Sequence, residues 1–107
     1  MTGYATYPYL RLRLDDAGGT LSRPGRSQPE IMFAWSEVEK VERVRVLGLP
    51  FFSEGVRITL KEVMYWGIPR RLLFFSGTKA RTSDILGFAE SRGAKVRRRA
   101  RTMFVVP

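Results

Sequence analysis

No cysteine and no histidine occur among the 107 residues. Without cysteine there is no disulfide framework, no thiol nucleophile and no thiolate metal site. Without histidine the chain lacks the side chain that most often serves as general base and as metal ligand. A serine–lysine pair is the remaining route to a nucleophile, and no spacing here matches a known motif of that kind. Neither a GxGxxG nor a GxxxxGK[ST] phosphate loop is present. No apolar run approaches the ~18 residues of a membrane-spanning helix. The opening stretch, MTGYATYPYL, has no apolar core behind a basic start and does not read as a signal peptide. These absences argue against an enzyme. No catalytic residue, metal ligand or cofactor is assigned, and no small-molecule substrate is expected. A cysteine-free chain fits a reducing compartment, and the expected location is the cytoplasm.

What the chain does have is positive charge, unevenly placed. Its net charge is +9. Residues 1–62 hold nine basic and eight acidic side chains, whereas residues 63–107 hold ten basic and two acidic. Such asymmetry suggests attraction to a polyanion. Fifteen of the nineteen basic residues are arginine, so a compositional bias in the coding sequence is the competing explanation.

The length implies one domain, and its hydrophobic patterning is that of strands. Residues 7–14 alternate, with Leu10, Leu12 and Leu14 on one face and Arg11 and Arg13 on the other. Residues 15–19 (DDAGG) read as a turn, its carboxylates bonding local backbone and its glycines free to take positive φ. Residues 20–22 begin a return strand, and 23–29 (RPGRSQP) form a loop. In FAWSEVEKVERVRV, residues 31–35 read as a strand, 36–39 as one tight turn and 40–47 as a second strand. Ser36 followed by Glu39 is also a capping-box pattern, and a single helix is the competing reading. Residues 49–53 (LPFFS) look turn-like. Residues 55–61 alternate again, with Val56, Ile58 and Leu60 inward and Arg57, Thr59 and Lys61 outward. Residues 63–69 (VMYWGIP) link to a strand at 70–75 whose LLFF run suits burial on both faces.

Helical spacing appears once, at residues 83–92, with Ser83 as N-cap, Asp84 in the first turn and Gly93 after the end. Residues 95–101 (KVRRRAR) are basic throughout. Residues 102–106 (TMFVV) are apolar and β-prone, expected to pair with a sheet edge of their own chain or of a second copy. Monomer and homodimer both remain open. Leu12, Trp35, Val44, Ile58, Phe74 and Leu86 are the expected core. Glu37, Glu39 and Glu42 read as solvated charge beside Lys40 and Arg43, not as a metal cluster.

These motifs resemble the bacterial PH-like (pleckstrin-homology-like) domains. The resemblance rests on WSEVEKV from Trp35, GVRITL from Gly55, RLLFFSG from Arg71 and ILGFAESRGAKV from Ile85, and covers roughly residues 8–96. It implies a mainly β (α+β) fold: a barrel of two near-orthogonal antiparallel sheets with one C-terminal capping helix, here at about 83–92. The single domain would span 1–107, with a basic and apolar C-terminal extension at 97–107. Two features depart from the family, that extension and the long VMYWGIP link. Relatives in the superfamily often bind phosphoinositides through a basic first hairpin loop. Here that loop is the acidic DDAGG, so that site is not carried over.

The functional expectation is a non-catalytic binding module. It would dock on a protein partner or on the anionic inner surface of a membrane. Nucleic-acid binding through the basic C-terminal segment is the alternative. Arg92, Lys95, Arg97, Arg99 and Arg101 are the candidate polyanion-binding residues. Trp66 and Tyr65 are the candidate partner-docking residues.

Overall fold

Alternating arginine and leucine make Arg11–Leu14 the first strand, β1, with Leu12 and Leu14 half-buried and both arginines exposed. The computed structural model describes residues 11–22, 31–48, 51–62, 70–76 and 78–104. Strands Gly18–Ser22 (β2) and Ile31–Ala34 (β3) join β1 in an antiparallel sheet of order β1-β2-β3. A 3-10 turn at Trp35–Glu37 leads to Val38–Gly48 (β4), Phe51–Leu60 (β5) and Arg71–Phe75 (β6). Helix Lys79–Ser91 (α1) and strand Lys95–Phe104 (β7) follow. The second sheet has the order β6-β5-β4-β7.

The protein is thus mainly β, two sheets and one substantial helix among the described residues. The second sheet, however, is mixed where the family resemblance implies antiparallel pairing. β7 runs parallel to β4, with Lys95 opposite Lys40 and Val96 opposite Val41. A parallel partner cannot be reached by a tight turn and needs a long crossover, which α1 supplies. Residues 97–104 therefore continue a sheet strand. Thr102, Met103 and Phe104 pair with Arg45, Val46 and Leu47 of their own chain.

One apolar cluster holds the layers together. It joins Leu21, Ile31 and Phe33 of the first sheet to Val41, Val56, Ile58 and Leu72 of the second and to Leu86 and Ala89 of the helix. Val44, Ile58, Phe74 and Leu86 are buried as expected. Leu12 and Trp35 are only half-buried. Trp35 sits at the rim because its indole N–H donates to the Asp15 carbonyl (2.8 Å), while its ring meets Phe33 and Phe88, each with centroids 6.1 Å away.

Several local expectations shift. The helix begins at Lys79, not Ser83, because the Thr78 hydroxyl accepts from the Arg81 N–H (3.1 Å) and caps it five residues before Ser83. Gly93 follows the helix at φ +90°, as a C′ glycine should. Gly18 and Gly19 are not positive-φ turn residues. They open β2, and a Cβ on them would lie 1.8 Å from the Phe33 carbonyl oxygen and 2.4 Å from its ring, respectively. The tight turn after β3 is one residue early, with the Glu37 carboxylate accepting from the Ala34 N–H (2.8 Å). Phe51, Phe52 and Ser53 are strand rather than turn, paired with Gly48, Leu47 and Val46. Asp15 does bond local backbone, accepting from the N–H groups of Ala17 (2.9 Å) and Gly18 (3.0 Å).

β5 departs most. Arg57 and Thr59, expected outward, are 5% and 0% exposed. β5 is an interior strand between β4 and β6, and both of its faces are covered.

Candidate polyanion interface

The interface begins from one misplaced acid. Glu42, expected in solvent, is 1% exposed. It stands opposite Arg57 in the β4–β5 register, so the two side chains leave the sheet on the same face. Its Oε1 accepts from Arg57 Nε (3.2 Å) and Nη2 (2.9 Å). Lys40 Nζ lies 3.6 Å from Oε1, and Arg101 Nε lies 3.8 Å from Oε2. Oε2 has no hydrogen-bond partner among the described residues. Burial works to raise the Glu42 pKa. The hydrogen bond from Arg57 and the charges of Arg57, Lys40 and Arg101 outweigh it and hold the carboxyl below the usual range. The other two glutamates are also engaged, Glu37 with the Ala34 N–H and Glu39 with Arg70 at 2.8 Å.

Around Glu42 the same sheet face is cationic. Lys40, Glu42 and Val44 alternate along β4, and β7 places Lys95, Arg97 and Arg101 beside them in register. Between Arg97 and Arg101 the register slips, so that four steps of β7 span two of β4, and Arg99 falls inside this bulge. Arg71 of β6 extends the Lys95–Lys40–Thr59 row. In these rows a single acid, Glu42, faces Lys40, Arg57, Arg71, Lys95, Arg97 and Arg101.

Burial separates the roles. Lys95, Arg97, Arg99 and Arg101 are exposed, while Val96 and Ala100 are half-buried. Among the described residues Lys95, Arg97 and Arg99 have no ion-pair partner, and Arg101 has only the long contact to Glu42. Arg57 is buried in the pair and has interactions beyond it.

The structure therefore brings together Lys95, Arg97 and Arg101 and adds Lys40, which sequence reading did not place there. Arg92 stands apart. It caps the helix end, forms an ion pair with Asp16 in the β1–β2 turn and lies 4.7 Å over the Phe88 ring. Arg98 is on the helix side of β7, 3.3 Å from Glu90. Trp66 and Tyr65 lie outside the described residues. Lys40 was legible in principle, since it is two residues from Glu42 on a strand. The missing information was that β7 pairs with β4.

Chemically this face can hold anions and little else. The hydroxyls of Ser76 and Thr82 form a buried pair (2.5 Å), and Thr82 in turn donates to the Thr78 carbonyl (3.0 Å). No three acidic side chains group as a metal site among the described residues. No described helix is long and apolar enough to cross a membrane. No family model, no curated protein and no solved structure matches this chain.

Proposed function

We propose that this chain is a non-catalytic, PH-like binding module that docks through β7 on the anionic inner face of a membrane or on an anionic protein partner. The observation that carries the reading is the exposed row of Lys95, Arg97 and Arg101 beside Lys40 on one sheet face, where the one acid, Glu42, is already paired with Arg57. Two sheets and one helix support the PH-like assignment, and the parallel β7 is this chain's departure from it. A strand holds its side chains in fixed positions, so the charges form a ridge. Docking is electrostatic, salt-sensitive and weakly selective.

The test is binding of the full chain to phosphatidylglycerol vesicles, neutral phosphatidylcholine vesicles, duplex DNA and single-stranded DNA at one salt concentration. Each cation near an anionic membrane contributes ~1 kcal/mol, so Arg97→Ala/Arg99→Ala/Arg101→Ala should weaken vesicle binding about a hundredfold. Circular dichroism checks that the variant keeps its strands. Stronger binding to DNA than to vesicles at that salt would favour the nucleic-acid alternative, and a salt series on DNA should then give a log–log slope of about −3.6 for about four neutralised phosphates. Binding to none of these removes the ridge from the reading and leaves docking on a protein partner standing alone.

A further inference from the structure

β7 displays cations on both faces, and the second set meets a cleft. Lys79, Thr82, Ser83 and Leu86 recur at helical spacing along one side of α1. Arg43 of β4 and Arg98 of β7 face them, and the six residues line a cleft of about 240 Å³. It runs along the side of the helix from its first residue, Lys79, to Leu86. No acid lines it.

We propose that this cleft is a binding site for a phosphate monoester. Its floor is fixed: Leu86 and Thr82 are each 1% exposed, and the Thr82 hydroxyl is already bonded to Ser76 and Thr78. Its walls are charged. Lys79 has no ion-pair partner among the described residues. Glu54 takes Nε and Nη2 of Arg43 (3.0 and 2.6 Å), which orients the guanidinium and leaves Nη1 outside that pair. This contact also holds Arg43 more firmly protonated. Arg98 is tied only to exposed Glu90, a pairing of little worth that a ligand can displace. Ser83 adds an exposed hydroxyl.

The donors suit a tetrahedral oxyanion. Two guanidinium forks and an ammonium converge, and arginine matches phosphate oxygens two at a time. The donors point to a monoester over a diester: three cationic groups can meet its three unesterified oxygens, where a diester has two. Glu54 and Glu90 beside them leave a net of +1, enough to favour an anion. The volume falls below the ~300 Å³ at which drug-sized ligand pockets begin, so a phosphate with a small substituent fits and a nucleotide does not. This is a recognition site with no reaction attached. It goes beyond the ridge and does not depend on it.

The experiment uses the full chain and two sources of the same chemistry. Glycerol 3-phosphate is titrated while backbone amide resonances are followed by NMR. Vesicles containing phosphatidic acid, a monoester lipid, are compared with phosphatidylglycerol vesicles of matched surface charge. Saturable shifts at Lys79, Ser83 and Arg98 are expected. Lys79→Gln/Arg98→Gln should weaken the site about tenfold or more, as loss of two charge-assisted contacts requires. Arg97→Ala/Arg99→Ala should leave the titration unchanged while weakening binding to phosphatidylglycerol, which separates the cleft from the ridge. A preference for phosphatidic acid that needs Lys79 and Arg98 assigns the ligand to a lipid headgroup. Saturation by glycerol phosphate without that preference assigns it to a soluble monoester. Non-saturating shifts, or shifts confined to Lys95, Arg97 and Arg101, would overturn the proposal. Unchanged affinity in folded Lys79→Gln/Arg98→Gln would do the same.

Discussion

Replacing Glu42 by glutamine removes one charge and almost no volume from the centre of the second sheet. Removing one partner of a buried ion pair costs about 3–5 kcal/mol, because the other charge stays desolvated. Arg57, 5% exposed, meets that condition, and its interactions beyond Glu42 offset part of the cost. Lys40 and Arg101 do not. Their side chains are 41% and 44% exposed, and solvent limits each to at most ~1 kcal/mol. Glutamine still offers Arg57 an oxygen, so the low end applies, and we expect a loss of about 3 kcal/mol at pH 7. With a slope of about 1–3 kcal/mol per molar urea, the unfolding midpoint should fall by roughly 1–3 M.

The pH dependence has a definite sign. A carboxyl whose folded pKa is lowered contributes its full stability above its unfolded value, about 4.3, and loses it as pH falls through the folded value. The gap between wild type and Glu42→Gln should stay constant from pH 7 to about 5 and close in acid. Glu42→Leu/Arg57→Met should recover most of the loss, since apolar replacements of a buried pair are often neutral or stabilising. A single-variant cost below about 1 kcal/mol, or a gap that widens in acid, would refute this account of the buried pair.

Three further outcomes are expected. Gly87 has nothing within 4 Å of an added Cβ, so Gly87→Ala should stabilise the helix by about 0.5–1 kcal/mol, read as a higher melting temperature. Thr78→Ala should cost about 1 kcal/mol in urea unfolding and Ser83→Ala less than about 0.5, the reverse of what a helix starting at Ser83 requires. Gly18→Ala should cost about 3 kcal/mol or more, because the new Cβ meets backbone that cannot rotate away, and a near-neutral result would mean β2 and β3 pair less closely than described.

Strand identity was legible wherever side chains alternate, as in RLRL and GVRITL, because period two is a local property. The helix C-terminus was legible too, since Gly93 marks it through its own φ. The helix start was not. Lys79 and Arg81 place two cations in a first turn that favours anions, so Ser83 and Asp84 looked the better beginning, and the hydroxyl of Thr78 decided otherwise. The burial of Glu42 and Arg57 was hidden for a different reason. Each looks like a solvent-facing residue on its own strand, and only the β4–β5 register makes them mutual counter-ions. The ridge was half visible. Alternation within residues 95–101 grouped Lys95, Arg97, Arg99 and Arg101, but adding Lys40, removing Arg92 and placing Arg99 in a bulge needed the parallel pairing and the Asp16 contact.

That parallel pairing also sets an order of assembly. β4 finds β5 across a two-residue connection and β5 finds β6 across ten residues, whereas Lys40 and Lys95 become neighbours only after two strands and a helix have been laid down between them. Non-local pairs of this kind form late and slow the folding rate. Until α1 has packed, β4 presents a bare row of backbone donors and acceptors along its outer side. A β7 from another molecule fits that row as well as its own. At high concentration the slow step in refolding therefore competes with strand exchange between copies, and the expected by-product is a domain-swapped dimer joined through β4 and β7.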